Sequence, residues 1–176
     1  MPSVAPTPRS SAAGFLAGFS WEGWTPTERA TLLFVVRDGQ ILLIRKHRGL
    51  GKGKLNGPGG RVDPGETPAE AAVREVEEEL RIQVLDARPA GELRFQFVDG
   101  YALHVFVYRA DRYLGEPRAT QEATPVWAPL DAIPYGEMWE DDREWMPLLI
   151  AGQPFHGRYV FEEDAMLTGE TRIRPD

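Results

Sequence analysis

The amino-acid sequence predicts an α/β (α+β) domain in which a mixed β-sheet is covered by α-helices. Three observations predict it. Two branched apolar runs, Thr31 to Val36 and Gln40 to Ile44, are separated by Asp38-Gly39, the signature of a tight hairpin. Thr67 to Leu80 places Ala71, Ala72, Val76 and Leu80 at helical spacing. A second helical stretch, Trp139 to Ile150, lies far downstream, with strand-like runs between the two.

In chain order, Met1 to Ala13 is rich in Pro, Ser and Ala and reads as a mobile tail. Gly14 to Pro26 carries Phe15, Phe19, Trp21 and Trp24, too aromatic for a linker, so it lies on the domain surface or covers a groove. The expected division is an N-terminal extension over 1–27 and one domain over 28–176. After the hairpin, Arg48 to Gly60 holds six glycines and one proline, a loop able to bring backbone close to a ligand. In the first helix Thr67 is a cap, Pro68 suits the first turn and Glu70 completes a capping box. Ile82 to Val84, Glu92 to Val98 and Tyr101 to Arg109 read as strands, the last two joined at Asp99-Gly100, with Pro125 to Trp127 a further short strand. Asp141 or Asp142 stands near the start of the second helix, and Phe155 to Phe161 reads as a late strand.

Composition narrows the function classes. With 176 residues, 42% of them hydrophobic, the chain is long enough for one real core. Having no cysteine excludes disulfides, thiolate-bound zinc and iron–sulfur clusters. No apolar run is long enough to span a bilayer, so no membrane partner is expected. Ala12 to Phe19, weakly apolar with only Arg9 basic before it, makes a poor signal peptide, and the cytoplasm is the expected location. A net charge of −7 argues against a nucleic-acid polymer as partner. An acidic chain handling a phosphate substrate needs cations between them. A monomer is expected rather than an obligate oligomer.

Glu75, Glu78 and Glu79 stand at i, i+3 and i+4, one face of a helix. Taken alone, such a run reads as a solvated acidic face. Its surroundings change that. Gly60-Arg-Val-Asp-Pro-Gly-Glu66, then seven residues, then Arg74-Glu75-Val76-Glu77-Glu78-Glu79-Leu80-Arg81-Ile82 resembles the Nudix box. The single departure is Arg81, where the family has the glycine that ends the helix. The resemblance implies a Nudix fold, a mixed β-sheet sandwiched between α-helices, and hydrolysis of diphosphate linkages with magnesium, or manganese in its place. It implies metal ligation by Glu75, Glu78, Glu79 and the Gly60 carbonyl, with Glu122 as a further carboxylate. Glu78 or Glu79 would position the attacking water, and Glu66 and Arg74 would form a supporting ion pair.

Further pieces are similar to the animal MutT-homologue branch, hydrolases of oxidised purine nucleoside triphosphates such as 8-oxo-dGTP and 2-oxo-dATP. They include Lys46, Leu55-Asn56-Gly57-Pro58-Gly59-Gly60, Gly91-Glu92-Leu93-Arg94-Phe95-Gln96-Phe97, Met138-Trp139-Glu140-Asp141-Asp142 and Phe155-His156-Gly157. This implies a nucleotide pocket built from Asn56, Trp139, Asp141 and Asp142 and lined by Thr31, Lys46, Phe95 and Phe97. Trp139 would stack on a purine, Asn56 would pair with the base edge, and one of two buried aspartates would hold a proton. By the residues alone, Asp141 or Asp142 is equally a helix cap, Trp139 and Trp145 core aromatics, Phe95 and Phe97 a buried strand face, and Lys46 a surface lysine. His47, His104 and His156 lack metal-ligand spacing. Leu50 and Pro58 stand where that branch has aromatics. Two other readings stay open, a hydrolase of another nucleoside diphosphate derivative and a non-catalytic nucleotide-binding module.

Overall fold

The computed structural model describes residues 9–175. In chain order the elements are α1 (Arg9–Gly18), β1 (Glu28–Arg37), β2 (Gln40–Lys46), β3 (Leu55–Asn56), β4 (Gly59–Arg61), α2 (Pro68–Leu80), β5 (Gln83–Leu85) and β6 (Arg88–Phe97). There follow β7 (Ala102–Ala110), β8 (Arg112–Leu114), β9 (Ala123–Pro129), a 3-10 turn (Tyr135–Glu137), α3 (Asp142–Ile150), β10 (Phe155–Glu162) and β11 (Ala165–Ile173). The main sheet runs β11-β10-β6-β7-β1-β2-β3, with β4 also on β1 and β9 on β2. It is mixed, since β1 pairs with β7 and β6 with β10 in parallel while the other pairs are antiparallel. β5 and β8 form a separate two-stranded ribbon.

Why β1 and β2 read as continuous apolar runs is plain from their packing. Leu33 and Val35 of β1, with Leu42 and Ile44 of β2, face Ala72, Val76 and Leu80 of α2. Phe34 and Val36, with Ile41 and Leu43, face Trp145, Met146 and Leu149 of α3. A strand buried on both faces has no polar side to show. The sheet is thus flanked by helices on both faces, as the sequence predicts. Arg109 of β7 donates to the carbonyls of Leu149 (2.7 Å) and Ile150 (2.9 Å), tying down the end of α3.

The hairpin turn follows its composition. Asp38 (φ 52°) and Gly39 (φ 73°) both adopt the left-handed conformation that a two-residue turn of this kind needs. α2 begins at the expected capping box. Thr67 Oγ1 accepts from the Glu70 N–H at 3.2 Å and donates to Glu70 Oε1 at 2.9 Å. It ends on Arg81 at φ 61°, ψ 34°, whose N–H reaches the Glu77 carbonyl at 2.9 Å. The arginine therefore takes the left-handed conformation of the glycine it replaces, at a cost of about 1 kcal/mol.

Four expectations need correction. The second helix starts at Asp142, not Trp139, because the 3-10 turn ends in an extended Met138 (φ −115°, ψ 176°). Trp139 is thereby left free of helical geometry. The glycine loop contains β3 and β4, which its composition hides. β11 was not predicted, being a largely exposed edge strand with Gly169 in its middle. The tail expected to be mobile through Ala13 is helical from Arg9, in a stretch that includes the helix formers Ala12, Ala13, Leu16 and Ala17, while its first eight residues lie outside those described. Among the described residues no helix is long and apolar enough to cross a membrane.

Candidate active site

The glycine loop and α2 meet where β4 returns alongside β1. Their approach depends on missing side chains. A Cβ at Gly60 would lie 2.3 Å from the Glu75 carboxyl carbon, and one at Gly59 would lie 1.9 Å from the Thr31 carbonyl oxygen. The loop backbone thus lies directly against the glutamate face of α2. Glu79 is buried at 3% exposure and its Oε1 accepts from the Gly59 N–H at 2.8 Å. Burial pushes its carboxyl up to about 8, against the pull of that hydrogen bond. Burial also raises Glu75.

Arg74 organises the other carboxylates. It grips Glu66 with two bonds, Nε to Oε2 at 2.6 Å and a terminal nitrogen to Oε1 at 2.9 Å. That pairing holds Glu66 down to about 2 and raises Arg74 above its usual range. The remaining guanidinium nitrogen reaches Glu75 Oε1 at 3.0 Å and the exposed Glu78 at 3.3 Å. Asp63, at 3.3 Å from Arg74, and the Arg61 carbonyl, at 3.1 Å, join the same arginine, and no sequence signal points to either. Glu122 pairs with Arg48 at 3.1 Å, and its charge is felt by Glu75, Glu79 and Lys46.

Glu75, Glu78 and Glu79 therefore share a side of α2 but have different partners. Among the described residues no three acidic or histidine side chains converge as a cation site. Arg74 takes up the charge of Glu75 and Glu78, and Glu79 turns inward to the loop. The donor chemistry still fits a hard divalent cation. It is all oxygen, it carries mutually repelling carboxylates, and the glycine at position 60 keeps backbone against Glu75.

Next to this cluster a pocket of about 150 Å³ opens between the sheet and α3. Thr31, Lys46, Asn56, Phe95, Phe97, Trp139, Asp141 and Asp142 all line it. So do residues without a signal in the sequence, namely Ala30, Leu32, Leu103 and Val105 on the strands and Gly57 in the loop. Trp145 is both core and lining, at 0% exposure. At the mouth stands Leu50, 47% exposed. The aromatic N-terminal segment does not line this pocket.

Each polar group here has a structural cause. Asn56 Oδ1 accepts from the Trp139 indole N–H at 3.0 Å, while its amide donates to the Lys54 carbonyl at 2.9 Å. Lys46 is lowered by burial, offset by the charges of Glu79, Glu75 and Glu122. It lines the pocket, half-buried, where it feels the charge of those carboxylates. Asp141 makes no helix-capping bond. Its Oδ2 accepts from the Trp145 indole at 2.8 Å, and its Oδ1 is buried without a partner. Burial pushes Asp141 up to about 7 and, together with the neighbouring Asp141 charge, raises Asp142 well above the ordinary carboxylate range.

Comparison with known proteins agrees with this architecture. The NUDIX domain family matches residues 26–149. The oxidized purine nucleoside triphosphate hydrolase of Danio rerio is 41% identical over 133 residues, covering 75% of this chain and 85% of that protein. Its namesake in Mus musculus is 38% identical over 144 residues, covering 81% and 92%. The solved structure of the mutator MutT protein from Bacillus halodurans shares the fold, with a TM-score of 0.73 at 24% identity over 84% of this chain and 99% of that one. With its sheet, glutamate helix and glycine loop arranged in this way, the chain belongs to the Nudix superfamily, in its MutT-like branch.

Proposed function

We propose that the protein hydrolyses oxidised purine (deoxy)nucleoside triphosphates, such as 8-oxo-dGTP or 2-oxo-dATP, to the monophosphate and pyrophosphate, clearing damaged precursors from the nucleotide pool. The observation that carries the reading is the buried Asp141–Asp142 pair in an aromatic-lined pocket beside the glutamate helix. Two adjacent buried carboxyls do not ionise together easily, so one keeps a proton at neutral pH and donates a hydrogen bond. A donor and an acceptor side by side match the base edge of an oxidised purine, and moving the proton between them lets one pocket accept more than one such base. Trp139 and Phe97 supply apolar faces for the ring.

The phosphates would then point toward Lys46 and the carboxylates. Lys46 neutralises part of their charge, and Arg74 holds Glu75 and Glu78 in place. A bound Mg2+, held by Glu75, Glu78, Glu79, Glu122 and the Gly60 carbonyl, would supply charge neutralisation at the phosphates. Glu78, which is exposed, or Glu79 would orient the attacking water. The names of the Danio rerio and Mus musculus relatives support this substrate class.

The test is steady-state hydrolysis of 8-oxo-dGTP, 2-oxo-dATP, dGTP and dATP with Mg2+. The expected result is a higher kcat/KM for at least one oxidised form than for its parent. Equal values throughout would remove the specificity reading and leave a general diphosphate hydrolase.

A further inference from the structure

The N-terminal aromatic segment lies on the face of β6 and β7 opposite the pocket, just upstream of the matched family region. Trp24 precedes that region by two residues. The Arg94 guanidinium lies 5.7 Å from the centre of its ring. Its indole N–H donates to the Gln96 side-chain oxygen at 2.8 Å. Gln96 is buried, and its amide in turn donates to the Phe97 carbonyl at 2.9 Å and toward the Tyr101 carbonyl at 3.4 Å. Those carbonyls bracket the turn between β6 and β7. Phe97 lines the nucleotide pocket, and Tyr101 lines the groove outside it together with Phe97, Leu50 and Trp139. Next along the chain, Thr27 is laced to Ala102 by its N–H (2.8 Å) and its hydroxyl (2.7 Å). The segment is thus bonded to both arms of one turn.

We propose that Trp24 is a positioning residue for the nucleotide pocket. Acting through Gln96, it holds the β6–β7 turn whose Phe97 and Tyr101 form one side of the pocket and its mouth. Without the indole N–H, the buried Gln96 oxygen has no partner, and the side chain loses the orientation that lets its amide bridge the two carbonyls. Phe97 then shifts relative to Trp139, its edge-on neighbour at 6.4 Å. The aromatic extension offers no ring to replace those missing at Leu50 and Pro58. It stabilises from behind the aromatic wall that remains.

The consequence for turnover rests on the proposed function, but the tether does not. Trp24→Phe keeps an aromatic ring under Arg94 and removes the N–H. Amide hydrogen exchange of the nucleotide-free protein reads the tether directly, and the amides of residues 97–102 should exchange about five- to tenfold faster in the variant. For an oxidised purine triphosphate, KM should rise about three- to tenfold with kcat unchanged, since the loss falls on binding rather than chemistry. A purely structural role would instead lower the active fraction, and with it kcat, at constant KM. Gln96→Met should give the same KM change, and the double variant should show no further rise. Unchanged exchange at 97–102 in both variants overturns the tether. Faster exchange with unchanged KM overturns the positioning role. If wild-type protein turns over no purine triphosphate, the proposed function fails while the exchange result still decides the tether.

Discussion

At Asp141 one carboxylate oxygen is bonded to Trp145 and the other has no partner, in a side chain only 1% exposed. A buried polar atom without a partner costs on the order of 1–3 kcal/mol, and a buried charge costs more unless a proton removes it. The folded state therefore favours the protonated form, and Asp141 and Asp142 are both raised. Because both folded values lie above the unfolded ones, the stabilising contribution is fully present below the ordinary value of 3.8 and is lost as pH rises, for Asp141 through about 7. In metal-free buffer, Tm should fall between about pH 4 and about pH 8. Asp141→Asn keeps an acceptor for Trp145 and cannot ionise, so thermal unfolding of that variant should show a shallower fall. An identical slope in variant and wild type would mean that Asp141 is not the group responsible.

On the scale of one element, α2 combines a well-made start with a strained end. The Thr67–Glu70 box satisfies its first turn, whereas Arg81 sits at a positive φ that costs an L-residue about 1 kcal/mol. Arg81→Gly relieves that strain of about 1 kcal/mol but gains about 0.4–1 kcal/mol of freedom in the unfolded chain, for a net stabilisation of up to about 0.6 kcal/mol. Urea unfolding measures it, and a destabilised variant would contradict the strain argument. The terminus matters to the site because the buried Glu79 lies two residues before Arg81. Arg81 aside, α2 is held by Ala72, Val76 and Leu80 against the sheet, which keeps its carboxylate face rigid.

For the whole molecule, the notable imbalance is acidic. The chain carries −7 overall, and two glutamates of the site, the half-buried Glu75 and the buried Glu79, are raised first by burial and then by neighbouring carboxylates, Glu78 and Glu122 for Glu75, Glu75 and Glu122 for Glu79. Arg74 relieves this only in part. Mg2+ bound by these oxygens should stabilise the fold by about 2.7 kcal/mol at a hundredfold excess over Kd. The measurement is Tm with MgCl2 against Tm with EDTA. The increment should shrink in Glu79→Gln. A wild-type Tm indifferent to Mg2+ would count against the proposed metal site.

Much of this protein was legible in one dimension because its strongest signals are local. The Asp38-Gly39 turn, the capping box and the i, i+3, i+4 spacing of the glutamates each follow from backbone geometry over a few residues. The box pattern added the family, and eight dispersed residues came with it from the resemblance. What spacing alone left open was whether Asp141 caps a helix, whether Lys46 sits on the surface, and which partners the three glutamates on one helix face take. Only the tertiary structure decided these. It buried Asp141 against Trp145, set Lys46 beside Glu75, Glu79 and Glu122, and gave Glu75 and Glu78 to Arg74 while Gly59 took Glu79. It also carried Trp24 across the sheet to Gln96, 72 residues away in sequence. Burial and hydrogen-bond partners at such separations are set by the packing of sheet against helix, which no short window of sequence encodes.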